Sequence, residues 1–193
     1  MSFDEYEYKC CVAGAPGCGK TSFLEMMYRG KLCHNYNPTI GADMIPYRTT
    51  YENQKTILRF WDTGGQERYR ALVKMFYRNC QFCIFFYNIN DKRTFQVLQE
   101  WVPIVRDEAS PILQGMVVGT HDDKVREVPQ SMGMEFAESH GFTYAECCTF
   151  DLVSVHSVLS QILKQVVGNC TPKQKQYSVE IDAHTTRECC LIT

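Results

Sequence analysis

The stretch Gly14-Ala15-Pro16-Gly17-Cys18-Gly19-Lys20-Thr21 constrains this chain more than any other. It reads G-x-x-x-x-G-K-T. An apolar run, Cys10 to Ala13, precedes it, and a helical pattern, Ser22 to Tyr28, follows. A strand that feeds a glycine-rich loop and a helix that leaves it form a phosphate-binding loop. Glycines let the backbone curl closely enough for its N–H groups to point at phosphate oxygens. The helix that follows turns its positive N-terminal end to the same anion. Lys20 adds a point charge for the outer phosphates, and the Thr21 hydroxyl is placed to ligate Mg²⁺.

The 193 residues fit one domain with a tail, and 45% hydrophobic against 22% charged residues is a globular balance. A net charge of −2 makes no electrostatic case for nucleic acid as a partner. No apolar run has the length of a membrane span, and the acidic start Met1-Ser2-Phe3-Asp4-Glu5 lacks a signal-peptide pattern. The eleven cysteines are scattered through apparent strands and helices and read as reduced, mostly buried thiols of a cytosolic protein. Cys10-Cys11 and Cys147-Cys148 lack the C-x-x-C spacing of a zinc site.

Along the chain, Tyr8–Ala13 reads as a strand and the helix after the loop stops at Gly30. Two alternating segments, roughly 44–51 and 55–61, read as an antiparallel hairpin, and 68–78 as a helix. Residues 81–87 form an almost continuous apolar run, as a fully buried strand requires. Residues 94–106 follow as a helix whose end Pro103 leaves open. Then come a strand at 116–119, a helix at 129–140 stopped by Gly141, a strand at 143–147 and a helix at 153–167 stopped by Gly168. Repeated strand–helix units predict a three-layer α/β fold: a mostly parallel six-stranded sheet with one antiparallel strand and helices on both faces. Ligands of such sheets bind at the carboxyl ends of the strands, where the polar motifs fall. The domain is expected to span 1–168, and residues 169–193, polar and without periodicity, to form a flexible tail.

A second motif, Trp61-Asp62-Thr63-Gly64-Gly65-Gln66-Glu67-Arg68-Tyr69, stands at a strand end. Together with the phosphate loop and Tyr36-Asn37-Pro38-Thr39-Ile40-Gly41, it resembles the Ras superfamily of small GTPases, which have the P-loop NTPase fold. The runs Thr39-Ile40-Gly41-Ala42-Asp43 and Trp61 to Tyr69 resemble the Rab branch. The likeness covers roughly residues 8–167. It implies GTP or GDP as ligand with Mg²⁺. Gly14, Ala15, Gly17, Cys18, Gly19, Lys20, Thr21 and Ser22 would form the phosphate cradle. Thr21 and Thr39 would be the hydroxyl ligands of the metal, with Asp62 the carboxylate behind its water. Tyr36 belongs to the first switch loop. Gly65 would hinge the second switch, and Gln66 would orient the attacking water. Effectors, an exchange factor and a GTPase-activating protein would meet the chain through Tyr36–Asp43 and Gly64–Arg78 of a monomer.

The base pocket departs from the family pattern N-K-x-D. Here Thr120-His121-Asp122-Asp123 stands in its place. Asp123 keeps the carboxylate that accepts from guanine N1–H and the exocyclic amine, a donor pair adenine lacks. Thr120 replaces an asparagine that ties the pocket loops, and His121 a lysine whose stem covers the base. Cys148-Thr149-Phe150 stands for S-A-K, with the Thr149 N–H facing the guanine carbonyl, and Leu32 for an aromatic ring. Each change costs around 1 kcal/mol or less, several on one ligand. One expectation is nucleotide binding weaker than is typical of the family, with faster exchange; the other is a set of drifted loops that still bind GTP adequately. GDP release at family-like slow rates would contradict the first. Pro16 lacks an N–H and stands near the place an activating arginine would enter; Gly64 stands where alanine is usual.

The chain closes on Cys189-Cys190-Leu191-Ile192-Thr193, whose last four residues read C-a-a-X, with Cys190 as prenyl acceptor and Cys189 as a second lipid site. The tail's mixed charges supply no polybasic attraction, so two lipids are needed for firm anchoring. The leading reading is a lipid-anchored, Rab-like GTPase on the cytosolic face of internal membranes, acting in vesicle traffic. A second is a degenerate nucleotide-binding scaffold with weak or no hydrolysis. A third, a small-molecule P-loop kinase, has no evident acceptor pocket.

Overall fold

A computed structural model describes residues 3–32, 42–63, 70–121 and 125–177, with no side-chain account of 3–4, 70–73 and 174–177. In chain order the elements are β1 (Phe3–Ala13), α1 (Lys20–Arg29), β2 (Ala42–Tyr51), β3 (Gln54–Thr63), α2 (Arg70–Tyr77), β4 (Phe82–Asn88), α3 (Lys92–Glu108), β5 (Gln114–Thr120), α4 (Gln130–Ser139), β6 (Thr143–Cys147), α5 (Leu152–Asn169) and β7 (Lys173–Tyr177).

The sheet order is β2-β3-β1-β4-β5-β6. All neighbours run parallel except β2 against β3, which form the expected hairpin with Ala42 opposite Thr63 and Tyr51 opposite Gln54. In the second part of β1, Cys10 to Ala13, and in β4 from Phe82 to Tyr87, every residue is apolar because both faces are covered. Cys10, Val12, Phe82, Ile84 and Phe86 meet Phe23 and Leu24 of α1 and Val158, Leu159 and Ile162 of α5. Cys11, Ala13, Cys83, Phe85 and Tyr87 face the other way, toward Tyr77 of α2, Phe95, Leu98 and Trp101 of α3 and Ala137 of α4. The thiols act as small buried apolar groups, and burial pushes those of Cys10, Cys11 and Cys83 well up. No helix among the described residues is long and apolar enough to cross a membrane.

Two helices run past the ends read from the sequence. Pro103 does not end α3, which runs on to Glu108. Pro103 and Gln99, whose carbonyl loses its partner, are both exposed, so water satisfies what the ring removes. Gly168 does not stop α5 either. The helix continues to Asn169 because Val166, Val167 and Cys170 still pack on the core. Gly30 and Gly141 do take the left-handed backbone, φ 66 and 67, that ends a helix.

The largest correction concerns the tail. The sheet has a seventh strand, β7, antiparallel to the first half of β1, with Phe3 opposite Tyr177 and Glu7 opposite Lys173. Residues 173–177 are thus part of the sheet rather than of a flexible segment. Gln81 pins the entry: its carbonyl accepts from the Cys170 thiol, its Oε1 accepts from the Lys9 N–H, and its Nε2 donates to the Thr171 carbonyl. The register then puts Lys173 and Lys175 opposite Glu7 and Glu5, opposite charges across an antiparallel pair.

The β2–β3 turn carries Glu52 at φ 48 and Asn53 at φ 64, both left-handed. Asparagine tolerates this conformation; glutamate does so at a cost. Glu52→Asn is therefore expected to stabilise the fold by about 0.5–1 kcal/mol, a rise of roughly 1–4 °C in Tm by calorimetry.

Candidate nucleotide site

The phosphate loop leaves the carboxyl end of β1 beside β4. Gly14, at φ 141, lies so close to β4 that a Cβ there would stand 2.2 Å from the Phe86 carbonyl oxygen. No other residue fits. Gly19, at φ 87, starts α1, with the Thr120 side chain 3.2 Å from where its Cβ would be. Lys20 is buried, and its Nζ donates to the carbonyls of Gly14 (3.0 Å) and Ala15 (2.8 Å), so the ammonium lies folded over the loop. The Cys18 side chain is fully buried beneath it, and burial pushes its thiol up despite the neighbouring Lys20 charge.

At the loop's far end the Thr21 hydroxyl donates to Asp62 Oδ2 at 2.7 Å. Asp62 is 2% exposed, at the carboxyl end of β3. A hydroxyl beside a buried carboxylate is a hard-oxygen donor set, and it fits Mg²⁺. No cluster of three or more His, Cys, Asp or Glu able to hold a metal occurs among the described residues.

A cleft of about 70 Å³ joins Gly17, Gly19, Lys20, Thr21 and Ser22 to His121, Thr149 and Phe150. Eight candidates from three separate segments thus share one wall-to-wall space. Thr149 is buried, while Phe150 is 61% exposed at the mouth. Their turn is held by Asp151, which caps α5 by accepting from the Val153 and Ser154 N–H groups, and by the Cys148 N–H donating to Ser154 Oγ. Gly14, Ala15 and Cys18 of the same loop are buried and do not line the cleft, and Cys148 precedes the turn. Leu32 packs against the core cluster on the α1 side of the sheet. Tyr36, Thr39, Gly65, Gln66 and Asp123 lie outside the described residues, as do Cys189 and Cys190.

Thr120 does tie the loops. Its buried Oγ1 is 2.9 Å from the Cys18 carbonyl and 3.1 Å from the Tyr87 carbonyl, joining the phosphate loop to the ends of β4 and β5. His121 follows at φ 64, its Nδ1 2.7 Å from the same hydroxyl.

A polar network that the sequence reading missed braces the chain beyond this point. Arg126 grips Glu146 with two hydrogen bonds, at 2.8 and 2.7 Å. Glu146 also accepts from Tyr144, whose hydroxyl is 2.9 Å from that of Tyr87. Asn90 donates to the Val125 carbonyl, and the Glu127 and Val128 N–H groups donate to Ile89. The base loop is thereby fixed just after its end. Burial alone would push the Glu146 carboxyl up, but the hydrogen bonds from Arg126 and Tyr144 hold it below its usual value. Tyr144 moves the other way, raised by burial first and by its bond to Glu146. The one cue was a glutamate inside a short buried strand, between Ala145 and Cys147.

A glycine loop at the end of a central parallel strand, with a buried lysine and a hydroxyl–carboxylate pair, defines a P-loop nucleotide-binding protein. A family model described as the Ras family matches residues 9–168. The chain belongs to the Ras family of small GTPases, and its relatives there are Rab proteins. It is 28% identical to human (Homo sapiens) Ras-related protein Rab-25 over 182 residues, covering 93% of this chain and 85% of that protein. It is 31% identical to Ras-related protein Rab-22A of Mus musculus over 162 residues, covering 83% and 84%. With Ras-related protein Rab2BV of Beta vulgaris the identity is 29% over 164 residues, covering 84% and 77%. The family implies a guanine nucleotide as the ligand of this site.

Glu146→Gln removes one ionic partner from the half-buried Arg126 pair. An expected loss of about 1 kcal/mol, discounted for solvent screening, is readable as a lower Tm. Because the folded carboxyl titrates below its unfolded value, this contribution is full above about pH 4.3 and is lost as pH falls through the depressed value. The wild-type and variant stability curves should therefore converge in acid.

Proposed function

We propose that this chain binds GTP and GDP with Mg²⁺ and hydrolyses GTP to GDP as a molecular switch in vesicle-mediated transport. One observation carries the reading: the 2.7 Å contact between Thr21 and Asp62, which brings the end of the phosphate loop and the end of β3 onto one point. The phosphates would lie along the loop, meeting its N–H groups and the N-terminus of α1. Lys20 would exchange its two loop carbonyls for phosphate oxygens. Thr21 and Thr39 would hold the metal and Asp62 its water; bound Mg²⁺ supplies neutralisation of the charge that develops on the phosphates. Gln66 would orient a water in line with the terminal phosphorus. As the P–O bond to that water forms, the bond to the β–γ bridging oxygen breaks, leaving GDP and inorganic phosphate.

Thr39 and Gly65 would draw their loops in only while the third phosphate is present, giving effectors two surfaces to tell apart. Exchange factor, activating protein and effectors would meet Tyr36–Asp43 and Gly64–Arg78. Lipid on Cys190, with a second on Cys189, would place the protein on the cytosolic face of an internal membrane. The second reading, a scaffold that holds nucleotide with weak or no turnover, rests on Thr120 and His121 standing in place of the family's asparagine and lysine.

Purified protein in Mg²⁺ is expected to bind GDP and GTP in clear preference to ADP and ATP. Binding without preference for guanine would overturn the base assignment. Gln66→Leu should lower GTP turnover by about 10²-fold while leaving GDP affinity unchanged. Turnover that does not respond to this change favours the scaffold.

A further inference from the structure

The Thr120 hydroxyl has one proton and three partners within reach. Two are carbonyls, Cys18 at 2.9 Å and Tyr87 at 3.1 Å, which only accept. The third and nearest is His121 Nδ1 at 2.7 Å, which accepts when bare and donates when protonated. Thr120 is fully buried, so water cannot make good a lost bond. If Nδ1 is bare, the hydroxyl proton is drawn to the ring and the link to Cys18 has no donor. If Nδ1 carries a proton, the ring donates into the oxygen lone pair and the hydroxyl proton is released to the carbonyls. The left-handed backbone of His121, φ 64, brings its ring back onto the preceding side chain; such a conformation is held at a cost of order 1 kcal/mol.

We propose that His121 is a positioning residue: its Nδ1 proton directs the Thr120 hydroxyl onto the Cys18 carbonyl, closing the phosphate loop against β5 and lengthening nucleotide retention. The inference rests on the nucleotide reading above. It makes retention pH-dependent with a definite sign. Imidazolium must donate from Nδ1, so the clasp is closed in acid. As pH rises and the ring loses its charge, the neutral form keeps that proton in only one of its two tautomers, and the clasp weakens. Among the described residues the charged group lining the same cleft is Lys20, from α1. The β6–α5 turn contributes the uncharged Thr149 and Phe150, with the Cys148 thiol just before them, and β4 presents the Tyr87 carbonyl. Asp122, Asp123 and Lys124 follow His121 outside the described residues.

The test is the rate of GDP release between pH 5.5 and 8.5 for the wild type, His121→Gln and His121→Ala. The glutamine amide donates at every pH, and alanine never does. The nucleotide's own titration is common to all three, so only differences between the proteins count. Wild type is expected to match the glutamine variant in acid and to release GDP about two- to tenfold faster than it at high pH, the worth of one hydrogen bond. The alanine variant should be fast throughout. A ¹⁵N spectrum of the His121 ring in the nucleotide-free protein should show Nδ1 protonated in acid and bare in a substantial share of the neutral rings. Coincident pH profiles in the three proteins, or an Nδ1 that keeps its proton throughout the neutral form, overturn the proposal. Failure to retain any guanine nucleotide would instead sink the functional reading, and the ¹⁵N spectrum, which needs no ligand, still decides the clasp.

Discussion

One steric fact governs the nucleotide end of this molecule: there is no room for a side chain where Gly14 passes under the Phe86 carbonyl. β1 must lie between β3 and β4 to fill the middle of the sheet, and its loop must turn back sharply enough to expose a row of N–H groups. Both are met only if the two backbones nearly touch at the point of departure. The buried lysine, the start of α1 and the cleft beyond are placed by that contact.

The rest of the site is assembled from strand ends. β3 delivers Asp62, β5 delivers Thr120 and His121, and the turn after β6 delivers Thr149 and Phe150. Three well-separated segments converge because parallel strands all end on the same side. The convergence is then locked by few polar contacts in apolar surroundings, where each is worth more than at the surface. Thr120 spans two loops with one hydroxyl, and Arg126, Glu146, Tyr144 and Tyr87 run as a chain from the base loop across β6 to β4.

What could be read from the sequence was whatever has a local cause. The phosphate loop, the hairpin and the helix stops at Gly30 and Gly141 depend on backbone conformations that glycine or turn residues permit, and all are present. Gly168 misled because a glycine marks a stop only where the backbone turns left-handed, and here packing of Val166 and Cys170 carried the helix on. Pro103 left the end of α3 open for a similar reason: its cost depends on whether the freed carbonyl faces protein or water. Thr120, read as the loss of an asparagine tie, makes the tie with a hydroxyl, which only the distances to Cys18 and Tyr87 reveal. The Glu146 network and β7 were hidden because their partners lie far away in the chain, Tyr177 opposite Phe3 being the extreme case.

That last strand sets how the molecule bears load. β7 runs antiparallel to β1 and ends beside Phe3, at the edge of the sheet remote from the phosphate loop. A pull on the chain beyond Tyr177 therefore acts on one rung at a time, opening the ladder like a zipper from the Phe3 pair inward, rather than shearing all its rungs together. The first resistance it meets away from the ladder is the Gln81 grip on residues 170 and 171. Tension from the tail would thus be spent on five residues of added strand before it reached α5 or the core, so the nucleotide end is mechanically insulated from whatever holds the other end of the chain.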